Sequence, residues 1–331
     1  MEITVLHKAF DLPVSWNDLA EDYFQTRKFL EHTEKYNPCQ QRYYLLFEQG
    51  VLQTGAVLYT LRVNLLTYRS SEMAYKMNIS GIPCSVSSCG IPGNRKYFHD
   101  LLDFIASAEK GLLLVLNLEP GIQKGRMALG RTLPTILFEN SYPSWNDYLC
   151  SIRAPYRRRI RMLSLSGSLL EKKQLPCDQF SEDMYRQYLE VLKRSKGKLE
   201  TLPLEFFQHL PPEFRLTVLY HQEIPAGWFF TVHFREKHYF FLGGIDYPMN
   251  RKFNTYFNIL TEILKEGIES GAAVIDLGQT AEIPKLRTGG RLQEKYMLGT
   301  HSNPVLRFLL KAGKSILEYT QKYEDIHVFK E

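Results

Sequence analysis

The chain has 331 residues, of which 44% are hydrophobic and 23% are charged, and its formal net charge is +5. This composition is typical of a globular protein that is long enough for two domains of ordinary size. Because the net charge is small, it does not indicate that the whole chain binds nucleic acid.

Targeting signals and cysteine motifs are missing from the sequence. It contains neither an apolar run of 18 residues nor a signal-peptide pattern, so we expect a cytoplasmic protein without stable membrane insertion. The five cysteines are scattered without a CxxC spacing. We therefore expect reduced structural thiols and no metal site.

The first half of the chain predicts strands, one early helix and a loop that leads into a second helix. A helix is expected from Trp16 to His32, after a Ser15 cap. Strands are expected within residues 1–10 and over 43–48, 55–66, 73–82, 112–118 and 133–138. A Pro-Gly-Asn-Arg-Lys turn at 92–96, after a loop over 81–93, precedes the helix that ends at Gly111, and a glycine-rich surface loop is expected over 119–131.

The centre of the chain carries its densest positive charge. Ser144 and Asp147 resemble a capping box that opens a helix, and we expect this helix to continue through five arginines. These are Arg153, Arg157, Arg158, Arg159 and Arg161. The helix is either a solvated connection between domains or a binding surface for phosphates of coenzyme A, a lipid-linked precursor or tRNA.

The second half repeats the scheme. Helices are expected over 180–195 and 204–210, followed by strands over 214–221, 227–235 and 239–245. A turn at Tyr247-Pro248, an amphipathic helix over 254–270, and strands over 272–277 and 295–300 follow, before a last helix over 304–319. This order predicts an α+β fold on a mixed, mostly antiparallel sheet flanked by helices.

A short motif occurs once in each half. Pro92 to Tyr97 matches Pro248 to Phe253, and each copy precedes an apolar-periodic helix and a buried strand. This self-similarity predicts two domains of one fold in tandem, over residues 1–143 and 144–331.

The second copy of the motif predicts an anion site. Asn250, Arg251 and Lys252 come just before the helix at 254–270, where Asn254 or Thr255 can cap the first turn. A helix N-terminus offers unpaired backbone N–H groups, so an anion is well placed there. The alternative is that the two cations belong to a solvated turn.

Several motifs of the second half resemble the GNAT acyltransferase fold and its FemAB-like branch, which includes CelD-like acetyltransferase domains. They are Leu242-Gly243-Gly244-Ile245-Asp246, the helix ending at Gly271, Ile275-Asp276-Leu277-Gly278, and Lys285 before Gly289. The basic run 156–161 resembles the helix before such a domain. Tandem GNAT domains are also what Fem-type peptidyltransferases show.

The resemblance implies transfer of an acyl group from an acyl thioester to an amine. The donor, acyl-CoA or acyl carrier protein, is expected to lie along Phe241, Leu242, Gly243 and Gly244, with its phosphates at 250–255. The latter turn lacks the glycines of the usual GNAT pattern, which leaves a carrier protein or an aminoacyl-tRNA as alternative donors.

The resemblance and the chemistry suggest roles for single residues. Asp276, or else Glu282, is expected to bind or deprotonate the amine, Lys285 to stabilise an oxyanion or hold a carboxylate, and Tyr256 or Tyr296 to protonate the leaving group. The expected substrate-binding residues are Asp246, Arg287, Tyr296, Arg157 and Arg158. Each carboxylate or lysine can instead serve only the structure, with Asp276 capping the next turn.

Three functions remain open at this point. The first is an N-acyltransferase acting on an amine of an anionic small molecule or cell-envelope precursor. The second is a Fem-type transferase that uses aminoacyl-tRNA, and the third is a non-catalytic GNAT pair that acts as a binding module.

Overall fold

The computed structural model describes residues 1–64, 74–122, 125–195, 199–313, 318–323 and 325–330, and the chain forms two compact units. Unit 1 comprises Met1–Leu133, Lys196–Phe206 and Glu294–Gln321, and unit 2 comprises Pro134–Ser195, Phe207–Gln293 and Lys322–Glu331. Each unit takes segments from both halves of the sequence. The tandem division at residues 143 and 144 stays a prediction.

The strands in the described residues are, in chain order, β1 (Glu2–Leu6), β2 (Arg42–Glu48), β3 (Val51–Asn64), β4 (Ala74–Ser80), β5 (Leu112–Leu118), β6 (Ala128–Glu139), β7 (Glu171–Leu175), β8 (Phe214–His221), β9 (Ile224–Phe234), β10 (Lys237–Ile245), β11 (Val274–Gln279) and β12 (Arg291–His301).

The α-helices are α1 (Trp16–Leu19), α2 (Arg27–Tyr36), α3 (Phe98–Ala108), α4 (Trp145–Ser151), α5 (Ala154–Gly167), α6 (Glu182–Arg194), α7 (Leu204–Gln208), α8 (Tyr247–Phe253), α9 (Thr255–Glu269), α10 (Glu282–Leu286) and α11 (Pro304–Ala312). None of the described helices is both long and apolar enough to cross a membrane.

Unit 1 has the strand order β1-β2-β3-β4-β5-β12. Only the pairing of β4 with β5 is parallel, and α3 connects these two strands. The apolar face of α3 packs on the sheet through Phe98, Leu101, Leu102 and Ile105. This unit is therefore a mostly antiparallel sheet with one parallel crossover.

Unit 2 repeats that arrangement with the strand order β6-β11-β10-β9-β8-β7. Here β10 and β11 form the parallel pair, and α9 lies between them in sequence. The buried side chains of α9, among them Ile263 and Leu264, pack on Ile275, Leu277 and Phe138. The predicted α+β class, with a mixed and mostly antiparallel sheet flanked by helices, is confirmed.

Three predicted elements are wrong in detail. The helix expected over 16–32 is broken into α1 and α2, because Thr26 caps a new helix by accepting a bond from the Phe29 N–H. The arginine helix is broken into α4 and α5, where extended Ile152 and Arg153 precede Pro155. Proline lacks the N–H that a continuous helix would need.

The third error concerns the segment before α9. The expected turn at Tyr247-Pro248 is the first turn of α8, whose N-terminus is capped by Asp246. Proline fits there because the first N–H groups of a helix have no intrahelical partner. The short helix α10 was not predicted, and α11 ends at Ala312. Residues 65–66 and 73 of two predicted strands, and residues 314–317 of the last predicted helix, lie outside the described residues.

Candidate active site

The parallel pairing of β10 and β11 is short. It covers three residues of each strand, from Lys237 opposite Val274 to Tyr239 opposite Asp276. The pairing of β10 with β9 shifts register between Phe240 and Gly243, which marks a bulge. Past Tyr239, β10 has no described pairing with β11, although it stays paired with β9 on its other side.

A strained turn follows β11. Gly278, Thr280 and Ala281 all have positive φ angles, of 72°, 61° and 48°. For residues other than glycine this conformation costs roughly 1–3 kcal/mol each. Surrounding contacts must therefore hold the turn in place.

Two of the predicted catalytic residues provide those contacts. Asp276 Oδ1 accepts hydrogen bonds from the Gly278 N–H at 2.7 Å and from the Thr135 hydroxyl at 2.9 Å. Lys285 Nζ donates to the carbonyl oxygens of Gly278 at 3.1 Å and Gln279 at 2.8 Å. Both side chains thus have a structural role in the turn, whatever their role in chemistry.

Lys285 is the most unusual ionisable group of this region. Its side chain is buried, with 1% of the residue exposed, and burial lowers its pKa to about 7, while the charges of Asp276 and Glu282 act to raise it. Its Nζ also lies 5.8 Å from the centre of the Phe240 ring. An amine with such a pKa gains and loses its proton near neutral pH.

Glu282 and Tyr256 are the other two predicted catalytic residues. Glu282 is buried at the start of α10, and Tyr256 lies in the first turn of α9. Burial and the charge of Glu282 raise the pKa of Tyr256 above its ordinary value. Tyr256 therefore keeps its proton at neutral pH. Unit 2 thus holds the four predicted catalytic residues, whereas the alternative Tyr296 belongs to unit 1.

The predicted phosphate turn is filled by contacts of the chain itself. Asn250 Oδ1 accepts from the Tyr256 N–H at 2.8 Å, which satisfies one of the free donors of α9. Asn254 Nδ2 donates to the Ser166 hydroxyl of α5 at 2.9 Å, and Thr255 is fully buried. Arg251 and Lys252 lie exposed on α8. The donors at this helix end are therefore partly occupied, and the phosphate-binding role of residues 250–255 stays a prediction.

The two glycines of β10 have a packing reason. A Cβ atom on Gly244 would lie 2.5 Å from Trp228 Nε1, and one on Gly243 would lie 3.0 Å from the Trp228 carbonyl oxygen. Phe241 is buried against Phe214, with ring centres 5.2 Å apart. Leu242, at the bulge, is partly exposed.

The predicted substrate-binding residues do not converge. Asp246 caps α8 by accepting from the Met249 N–H at 2.7 Å, and Arg157 donates to carbonyl oxygens at the end of α4. Arg158 and Arg287 are exposed. Tyr296 belongs to unit 1, where its hydroxyl donates to Glu294. Their substrate-binding role stays a prediction.

Sequence reasoning missed two residues of the site. Thr135 on β6 bonds Asp276, and Phe240 faces the ammonium of Lys285. Neither carries a local signal, because the partner of Thr135 lies on another strand and Phe240 is one of several aromatic residues in β10. Within the described part of the chain, no group of three His, Cys, Asp or Glu side chains is placed to hold a metal ion.

Replacement of the buried lysine by Lys285→Met tests its electrostatics. The folded-state pKa of about 7 lies below the ordinary 10.5, so the unfolded chain binds more protons between these pH values. Below pH 7 the charged lysine therefore lowers the free energy of unfolding by its full amount. This destabilisation decreases as pH rises and is lost near pH 10.5. We expect the variant to gain stability relative to wild type at low pH, and to lose that gain as pH rises.

Urea unfolding over this pH range measures the difference. The exposed Lys237 provides the control Lys237→Met, which removes no buried charge. The loss of the two Lys285 hydrogen bonds changes the stability by the same amount at every pH. If the whole difference between Lys285→Met and wild type is independent of pH, the low pKa of Lys285 is contradicted.

Comparison with a family model gives an independent assignment. Residues 151–285 match the model described as an acetyltransferase (GNAT) domain. Among curated proteins, none matches the sequence significantly.

Three solved structures illustrate the fold. FemX is 14% identical, with a TM-score of 0.57, over 94% of this chain and 100% of FemX. A tandem GNAT protein from the clavulanic acid biosynthesis pathway is 9% identical, with a TM-score of 0.51, over 92% of this chain and 99% of that one. The C-terminal domain of a putative lysylphosphatidylglycerol synthetase from Agrobacterium fabrum is also 9% identical, with a TM-score of 0.51, over 86% and 90%.

These likenesses concern the fold, since all the identities are low, whereas the family match identifies a domain with a known class of activity. The predicted resemblance to GNAT acyltransferases is confirmed by the family match over residues 151–285, and so is the acyltransferase class, while the likeness to FemX and to the tandem GNAT protein is one of fold. The stretch from residue 151 to residue 285 is thus similar to an acetyltransferase (GNAT) domain, and the chain shares its fold with FemX and with a tandem GNAT protein.

Proposed function

We propose that unit 2 transfers an acyl group from a thioester to the amine of an anionic small molecule or cell-envelope precursor. The observation that supports this proposal is that the described pairing of β10 with β11 ends at Tyr239, and the gap that we propose between the two strands past this point lies beside a buried lysine with a pKa near 7. Backbone donors and acceptors in that gap suit an extended amide-containing arm, which can bind as an additional strand would.

The reaction needs one proton removed and one supplied. The amine nitrogen attacks the thioester carbonyl, a C–N bond forms, the C–S bond breaks, and the proton lost by the amine must reach a base while the thiolate takes up another. Neutral Lys285 can take the first proton, with the charge of Asp276 tuning its affinity for it. Tyr256, which stays protonated, can supply the second.

The state of the α9 N-terminus bears on the donor. Asn250 already accepts from one N–H of this turn, and Asn254 is bonded to the end of α5, so the turn offers fewer free donors to a diphosphate. A carrier protein presents the same thioester arm without the nucleotide. We therefore favour acyl carrier protein over free acyl-CoA as the donor.

The variant Asp276→Asn tests the proposed proton transfer. We expect turnover to fall at least about tenfold, since a positioned acid or base contributes about 10²–10⁴-fold. Because the charge of Asp276 raises the pKa of Lys285, its removal should move the acid limb of the pH–rate profile to lower pH.

Amide formation from an acyl-carrier donor and a panel of anionic amines, followed by mass spectrometry, provides the rate. Asp183→Asn, at an exposed position of α6, is the matched control. Unchanged turnover in Asp276→Asn would remove this residue from the mechanism. Complete loss of the acid limb would make Asp276, and not Lys285, the base.

A thermal-shift comparison of acyl donors tests the donor itself. A donor at about 100 times its dissociation constant adds about 2.7 kcal/mol to the stability of the folded state. We expect a clear shift with acyl carrier protein and a smaller one with the same acyl-CoA. An equal or larger shift with acyl-CoA would contradict the choice of donor. Binding of aminoacyl-tRNA alone, with steep salt dependence, would replace the thioester, and no shift at all would favour the non-catalytic alternative.

A further inference from the structure

One face of α5 exposes a stripe of large apolar side chains. Met162, Leu165 and, just past the helix end, Leu169 are 59%, 71% and 66% exposed. The spacing of three residues places Met162 and Leu165 on one side of the helix, and Leu169 follows in the turn just after it. Contiguous apolar side chains left in solvent mark an interaction surface more often than isolated ones do.

Arginines accompany this stripe. At 100° per residue, Arg158 lies in line with the stripe, while Arg159 and Arg161 lie on either side of it. All three are exposed, and among the described residues none forms an ion pair with them. The stretch from Ala154 to Leu170 contains no acidic residue. The outward face of α5 is therefore apolar along its middle and cationic at both margins.

The opposite face of α5 is fixed to unit 2. Ile160 is buried in the core, and the Ser166 hydroxyl donates to the Phe253 carbonyl at 3.1 Å. Asn258 of α9 donates to the Leu163 carbonyl at 3.3 Å and covers Gly167. The helix is held in place by these contacts, so its apolar stripe is not needed for packing within the unit.

A second basic helix with exposed apolar side chains lies in unit 1. Val305, Phe308 and Leu309 of α11 are each more than half exposed, and this helix also carries Arg307 and Lys311 but no acidic residue. Among the described α-helices, the large apolar side chains that are more than half exposed thus lie on two basic helices, α5 and α11.

We propose that the outward face of α5 docks on an anionic phospholipid surface. Such a surface offers phosphates for guanidiniums and, just below them, an apolar layer for Met162, Leu165 and Leu169. The side chains of the stripe are exposed, so they can insert into a lipid bilayer, which does not need a preformed groove to bind them. A nucleic acid would match the charge but offers nothing to three aliphatic side chains, and α5 has no aromatic residue on this face for base stacking. This inference does not depend on the acyl-transfer proposal.

Cosedimentation with lipid vesicles tests the proposal on the full chain. We expect binding to phosphatidylcholine vesicles that contain about 30 mol% phosphatidylglycerol, and little binding to pure phosphatidylcholine. The triple variant Arg158→Gln, Arg159→Gln and Arg161→Gln should lower the partition coefficient about 100-fold, at roughly fivefold for each arginine. The triple variant Met162→Ser, Leu165→Ser and Leu169→Ser should lower it at least about tenfold.

A matched control removes three positive charges elsewhere on unit 2, with Arg186→Gln, Lys193→Gln and Lys237→Gln at exposed positions. This control should bind like wild type, and a thermal melt of each variant excludes unfolding as the cause of lost binding. The proposal is overturned if wild type does not bind anionic vesicles, if it binds both vesicle types equally, or if the control loses as much affinity as the α5 arginine variant. Self-association through Leu165, or binding of an acidic carrier protein in place of vesicles, would likewise overturn it.

Discussion

The early end of pairing between β10 and β11 is the constraint on which the candidate site depends. The described pairing of the two strands ends at Tyr239 and Asp276, and β10 bulges against β9. The chain then turns at Gly278. It does so through left-handed residues that only nearby side chains can stabilise.

The side chains that stabilise this turn are also those with chemical potential. Lys285 bonds the carbonyl groups of Gly278 and Gln279, and in doing so it is buried, which brings its pKa into the neutral range. Asp276 holds the same turn from its N–H side. Structural support and proton transfer are therefore not competing explanations of these residues, because the contacts that fix the turn also create the perturbed lysine.

The sequence predicted best what depends on local periodicity, as in α9, β8 and the parallel strand β11. The prediction was wrong where a proline is compatible with two structures. Pro248 was assigned to a turn but lies at the start of α8, and Pro155 lies at the start of a separate helix, α5, where one continuous helix was predicted. Asp276 and Lys285 were found through family resemblance. Their mutual setting, the burial of Lys285 and the filling of the phosphate turn by Asn250 depend on tertiary contacts that no local pattern encodes.

The central claim is that a thioester donor lies along β10 in the gap beside Lys285. Amide hydrogen exchange of the full chain, with and without an S-acetyl pantetheine thioester, tests it most directly, since this probe is shared by coenzyme A and carrier-protein donors. The account predicts slower exchange at Phe241 to Gly244 and in the turn at 278–281, with unit 1 unchanged. Protection confined to other segments, or equal exchange with and without the thioester, would contradict it.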